Sequence, residues 1–162
     1  MLDSLHNLGV VHIGLKNYEK ALEYYERCLR GRLKVLGEDH RDTLALLNNL
    51  GNIYAGLKNY EKALECYERA LKGREKKLGT THPETLQTVM NIAIAYQNGS
   101  KDYGKAEEFY ERALRGEESE LGIDDSETKK CAKNDYFCLK ESGNLERIVA
   151  LTNTYPFLKD AP

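Results

Sequence analysis

Asn7, Asn49, Asn91 and Asn134 recur 42, 42 and 43 residues apart, and theirs are the side chains whose type and spacing suggest a chemical task. That task is recognition, because one amide carries both donors and an acceptor and can pair with the backbone of an extended peptide. Each sits in an apolar pattern of helical period, where asparagine costs up to about 0.7 kcal/mol relative to alanine. A residue that is poor for the helix yet returns in every unit suggests that its amide is used. Two uses are open: pairing with a bound peptide, or bonding to the adjacent unit and fixing the stacking angle.

Other reactive side chains offer less. Cys28, Cys66, Cys131 and Cys138 form no CxxC pair and share no metal-ligand spacing with the four histidines, so neither a metal site nor a cofactor is expected. Cys28 falls where later units have Ala70 and Ala113, the place of a small core residue. Cys131 and Cys138 lie seven apart on one expected helix, roughly 10 Å, too far for a disulfide. No phosphate-binding loop, HExxH or GxSxG is present, so no catalytic residue is assigned and the chain reads as a non-enzyme.

A net charge of -2 and a pI of about 6.1 argue against nucleic acid and against a polybasic membrane anchor. No apolar run reaches the roughly 18 residues of a membrane span, and the N-terminus lacks the pattern of a signal peptide, so the expected location is cytoplasmic. The 162 residues, 41% hydrophobic, suffice for one domain with a core.

The elements that must position the asparagines follow from self-similarity. Asn7 through Gly37 returns almost letter for letter as Asn49 through Gly79, a period of 42 residues. Such a period marks units that bury their apolar faces only by stacking on neighbours. Leu44, Leu47, Leu50, Ile53 and Tyr54 mark a first helix, expected to stop at Gly56 in the left-handed conformation. Asn59 then caps a second helix with Tyr60, Ala63, Leu64, Tyr67, Ala70 and Leu71 on its buried face, ending at Gly79. Thr81-His82-Pro83-Glu84 reads as a capping box for the next first helix, with His40 and His82 in packing or capping roles. Glu23–Arg27, Glu65–Arg69 and Glu108–Arg112 read as exposed pairs four residues apart. The third unit carries one extra residue within 97–102, in a turn. From Asp124 the pattern decays: Asp135 stands where Leu50 and Ile92 stood, and Thr152 where Tyr67 and Tyr110 stood. Gly143-Asn144 still marks a helix stop and start, so the last hairpin reads as a degenerate closing unit with a more polar outer face.

Asn49-Leu50-Gly51-Asn52-Ile53-Tyr54, followed by Tyr60, Ala63, Tyr67, Ala70 and Leu71, resembles the tetratricopeptide repeat. Gly9, Gly51 and Ala93 match the family's small residue in the first helix, and Ala21, Ala63 and Ala106 match its first alanine in the second. The match covers residues 2 to 122 well and the remainder weakly. The ordinary period is 34 residues; the longer one here, closed by Arg74 to Gly79 and His82-Pro83, resembles the kinesin light chain and nephrocystin-like subgroup. The heptad coiled coil through which a kinesin light chain would join a heavy chain is missing from these residues. Met1 aligns with Thr43, so the chain reads as a piece of a longer array.

The resemblance implies an all-α fold, a right-handed superhelical α-solenoid of helix-turn-helix repeats forming a single array over 1–162. Its units are 1–42, 43–84 and 85–127, with a degenerate hairpin over 128–158. An armadillo-like array, with three helices per unit, is the alternative fold. In the resembled family the first helices line a concave groove that binds an extended peptide. The matching positions are Asn7, Asn48, Asn49, Asn52, Gln87, Asn91, Lys130, Lys133 and Asn134. Asp3, His6, Val10, Ala45, Met90, Ile94 and Phe137 share that face. Lys129, Lys130, Lys133 and Lys140 would bias an acidic segment toward the C-terminal half. A two-carboxylate clamp is not expected, since Ala45 and Gln87 stand where it would need positive charge. The expected partner is a protein or peptide, with the chain acting as an adaptor. The alternatives are a scaffold that self-associates through its ends, and a regulatory segment of a larger signalling protein.

Overall fold

The computed structural model describes residues 2–161, so Met1 lies outside the described residues. Among these the helices are α1 (Leu2–Gly14), α2 (Tyr18–Leu36), α3 (Arg41–Gly56), α4 (Tyr60–Leu78), α5 (Pro83–Asn98), α6 (Tyr103–Leu121), α7 (Ser126–Ser142) and α8 (Leu145–Thr154). A 3-10 turn, Pro156–Asp160, follows, and no strand occurs among the described residues. Two helices per period exclude the three-helix alternative. The chain forms two compact units, Met1–Gly79 and Thr80–Pro162.

In the first unit α1 pairs with α2 and α3 with α4, each pair locked by reciprocal glycine seats. A Cβ on Gly51 of α3 would lie 2.3 Å from Cε1 of Tyr67, and one on Gly9 of α1 equally close to Tyr25. The tyrosine ring therefore lies against bare backbone. In the opposite sense, a Cβ on Gly73 of α4 would meet Leu44 Cδ2 at 2.3 Å, and Gly31 of α2 seats Leu2 in the same way. The periodicity at Leu44, Leu47, Leu50, Ile53 and Tyr54 is the buried face of α3, and Ala63, Tyr67, Ala70 and Leu71 that of α4. Cys28 is fully buried in α2, as its alanine-like register requires.

The second unit repeats the plan. Gly116 of α6 seats Leu86 of α5, with a virtual Cβ 2.4 Å from Cδ2. Four residues, 99–102, separate α5 from α6 where three, 57–59, separate α3 from α4, so the extra residue is absorbed in the turn. Cys131 and Cys138 are buried free thiols on α7.

Side-chain caps set the helix starts. Asn17, Asn59, Asp102 and Asn144 accept from the backbone N–H three residues on, opening α2, α4, α6 and α8. The first helices differ from the expected capping box. His40 Nδ1 accepts from Asp42 N and His82 Nδ1 from Glu84 N, each at 3.2 Å, and Asp125 does the same for α7. The cap is His82 and not Thr81, because Pro83 fixes the first helical position directly after it. Gly56 is not the left-handed stop either: it belongs to α3, and the positive φ falls on Lys16, Lys58 and Lys101. Lys58 N donates to Ala55 O and Asn59 N to Tyr54 O, which holds the lysine in that conformation. Glycine does take positive φ at the ends of the second helices, at Gly37, Gly79 and Gly122, and at Gly143 after α7.

Two further expectations are corrected, one in the last hairpin and one in the first unit. Asp135 does not supply a polar outer face; it is fully buried, and its carboxylate accepts from Arg147 Nη2 at 2.9 Å. Arg147 also reaches Glu107 of α6 at 3.6 Å, so a charged cluster running from the buried Asp135 to the half-buried Arg147 and Glu107 replaces the aliphatic contact made at Leu50 and Ile92. Arg69 engages Glu38, 2.9 Å away in the loop after α2, so its partner is not confined to its own helix.

Candidate peptide-binding surface

In the first unit the amides sit in different environments. Asn7 is exposed on α1. Asn48 is only 4% exposed, so it lies within the core side of α3 and does not present its amide outward as expected. Asn49, one residue on, is half-buried and Asn52 is exposed. Burial pushes the Tyr25 phenol above its ordinary value, while a hydrogen bond with the Asn49 amide pulls it back. Asn52 Oδ1 accepts from Tyr67 OH at 2.8 Å. These two asparagines, with Ile13, Tyr18, Tyr25 and Ile53, line a depression of about 310 Å³. At least one hydrogen-bonding function of each amide is therefore spent inside the unit, and an amide retains capacity beyond one bond.

The second unit carries the better-formed recess, about 380 Å³ between α5, the end of α6 and α7. From α5 it takes Glu84, Leu86, Gln87, Met90, Asn91 and Ile94; from α6, Glu117, Glu120 and Leu121; from α7, Glu127, Lys130 and Asn134. Four of the five expected positions in this unit thus come to one place, since Gln87, Asn91, Lys130 and Asn134 line it, and Lys133 stays outside, exposed on α7. Asn134 Nδ2 lies 3.6 Å from Met90 Sδ, joining α7 to α5. Asn134, like Asn49, contacts the preceding repeat as well as facing a recess.

Charge here runs opposite to expectation. The lysines are partnered: Lys129 with Asp124 at 3.1 Å, Lys130 with Glu127 at 3.2 Å, Lys133 over the Phe137 ring and Lys140 over Tyr136. Four glutamates line the recess against one lysine, so its charged lining is mainly acidic.

Glu117 joins the site although it is absent from the positions that the spacing picks out. It is 6% exposed, and its Oε2 has no hydrogen-bond partner among the described residues. Burial, then the neighbouring Glu127, push its carboxyl from 4.5 up to about 7, against a hydrogen bond with the Cys131 thiol that pulls the other way. Arg32 and Arg74 occupy the same register in the earlier repeats, both buried. Arg32 is satisfied there, donating from Nη1 to Asp42 O at 2.8 Å and pairing with Asp3 at 3.4 Å. The change from arginine to glutamate at one fixed register is the signal that could have found it.

No group of three or more histidine, cysteine or acidic side chains among the described residues is placed to hold a metal. No helix among them is long and apolar enough to cross a membrane.

Comparisons with known proteins agree with this architecture. No curated protein matches the chain. Among solved structures, BtubC (BKLC) from P. vanneervenii is similar at a TM-score of 0.87 and 21% identity, over 99% of this chain and 63% of that one. The chain thus spans less than two thirds of that protein. The nearly identical TPR-like repeats of a candidate kinesin light chain from Podosopora anserina give 0.85 and 20% identity, over 99% of this chain and 76% of theirs. RapI in its apo form gives 0.81 and 19%, over 98% and 56%. At these identities the likeness is one of fold, an all-α helical repeat solenoid of the kinesin light chain type. The family model described as Tetratricopeptide repeat matches residues 1–76 and again 42–119, and the chain belongs to the tetratricopeptide repeat family.

Proposed function

We propose that the chain is a non-enzymatic adaptor of the cytosol that binds an extended peptide segment along its first helices. The observation that carries this reading is the open recess of the second unit, where Gln87 and Asn91 of α5 and Asn134 of α7 share its lining with the apolar Met90 and Ile94. Amides beside apolar surface suit a peptide, whose backbone needs donors and acceptors at intervals while its side chains need pockets. In the first unit Asn7, Asn49 and Asn52 complete the proposed set. The array over 1–162, with its degenerate hairpin at 128–158, serves in this proposal as one binding module.

Peptide-array screening of the purified chain tests this, with Asn49→Ala/Asn91→Ala as control. The double substitution is expected to weaken bound peptides about tenfold or more while thermal stability stays within a few degrees. Loss of folding instead would make the asparagines stacking residues, and no bound peptide would overturn the reading.

Self-association is a second reading, favoured by apolar surface on α1. Val10, Val11 and Leu15 are 49%, 56% and 69% exposed along and just after this one helix. Light scattering across concentration checks it; a constant monomer mass excludes it.

A further inference from the structure

We propose that the recess of the second unit takes a lysine or arginine side chain of the bound peptide, with Glu117 as the counter-charge at its base. This rests on the peptide-binding reading and names the ligand chemistry that reading leaves open. Three independent features converge. The first is a recess of about 380 Å³ with Leu86, Met90, Ile94 and Leu121 in its walls. Such walls accept the alkyl stem of a long basic side chain. The second is the buried Glu117, whose Oε2 is without a hydrogen-bond partner among the described residues. A buried carboxylate oxygen left unmatched costs free energy that an incoming cationic donor returns, and a charge-assisted bond is about twice as strong as a neutral one. The third is the rim, where Glu84 and Glu120 add negative charge while Lys130 is drawn to Glu127.

The register explains why this arises in the second unit. In the first, Arg32 and Arg74 fill the equivalent position with the protein's own guanidinium groups, and Arg32 already serves a backbone carbonyl and Asp3. At Glu117 the charge is reversed. The lysine that lines the recess, Lys130, is paired with Glu127, which leaves Glu117 for a cation from outside the chain.

Binding is coupled to protons. The groups facing Glu117 are Glu84 from α5, Glu120 on its own helix, Asp125 before α7, and Glu127, Lys130 and Cys131 on α7. Of these, Cys131 is held as a thiol by burial. With the Glu117 carboxyl at about 7 in the unbound chain, a cation enters by displacing a proton, so affinity rises as the pH rises from about 6 to about 8.

Fluorescein-labelled octapeptide pools test the inference by anisotropy. Each pool has one fixed central residue, lysine, arginine, leucine or glutamate, and randomised flanks. Lysine- and arginine-centred pools are expected to bind at least about tenfold more tightly than the glutamate-centred pool, and several-fold more tightly at about pH 8 than at about pH 6. Glu117→Gln, which keeps the shape, is expected to abolish both the preference and the pH dependence, bringing the lysine- and arginine-centred pools to the affinity of the leucine-centred pool. Glu120→Gln, at the rim, provides a second variant should Glu117→Gln disturb folding, and is expected to reduce the preference by a smaller factor. Binding without preference for the basic pools, or a preference that survives Glu117→Gln, overturns this inference alone. Failure of every pool to bind overturns the peptide-binding reading together with it.

Discussion

Glu117 sets the chemistry of the second unit because its environment is wrong for a charge, and its stability effect has a definite sign. The folded pKa, about 7, lies above the ordinary 4.5, so the folded state holds the proton more tightly than the unfolded one. The stability tied to this group is complete below about pH 4.5 and is lost as the pH rises to about 7. Glu117→Gln is therefore expected to match the native chain at about pH 5 and to exceed it at about pH 8 by on the order of 2 kcal/mol. Urea unfolding at the two pH values measures the difference. His82 gives a second expectation at this scale. His82→Ala removes the α5 cap and is expected to cost about 1 kcal/mol, whereas His82→Asp is expected to restore it, since Asp125 already caps α7 in the same register.

Among the elements, pairing within each hairpin depends on backbone left bare. Tyr67 is 2% exposed and its hydroxyl is fixed by Asn52, so its ring has little room to yield to a methyl group at Gly51. Gly51→Ala gains up to about 1 kcal/mol of helix propensity and loses roughly 1–3 kcal/mol to overpacking, so a net loss near 1 kcal/mol is expected in chemical denaturation. The α7–α8 hairpin is held differently. Arg147→Leu leaves the fully buried Asp135 without its partner and is expected to cost about 3 kcal/mol, while Asp135→Leu/Arg147→Leu is expected to recover most of it. Leu50 and Ile92 show that this register accepts an aliphatic side chain. A double-mutant cycle measures the recovery.

For the molecule as a whole, two units of one repeat plan carry unlike recesses. One is flanked by Tyr18, Tyr25 and two amides, the other by four glutamates. A lysine-centred peptide is therefore expected to protect amides of α5, α6 and α7 from hydrogen exchange more strongly than those of α3. At about a hundred times its Kd it should add about 2.7 kcal/mol to the stability of the second unit.

The helices, their pairing and the family were determined by the sequence itself. Apolar residues at three and four, caps at Asn17, Asn59 and Asn144, and stops at Gly37 and Gly79 are local signals, and repetition of each in register removes ambiguity. Local signals also misplace what depends on competition between neighbours. Pro83 moves the cap from Thr81 to His82, and a backbone carbonyl pattern places the left-handed turn on Lys58 instead of Gly56. What only the tertiary structure decided was burial and company. Asn48 and Asn49 are adjacent in sequence, yet one is enclosed and the other faces a recess. Asp135 is drawn inward by Arg147, twelve residues away in the chain. Glu117, one acidic letter among many, becomes part of a recess because α5 and α7 close against its own helix and leave one carboxylate oxygen unmatched. Charge and solvation depend on what surrounds a side chain in space, and no spacing along the chain encodes that directly.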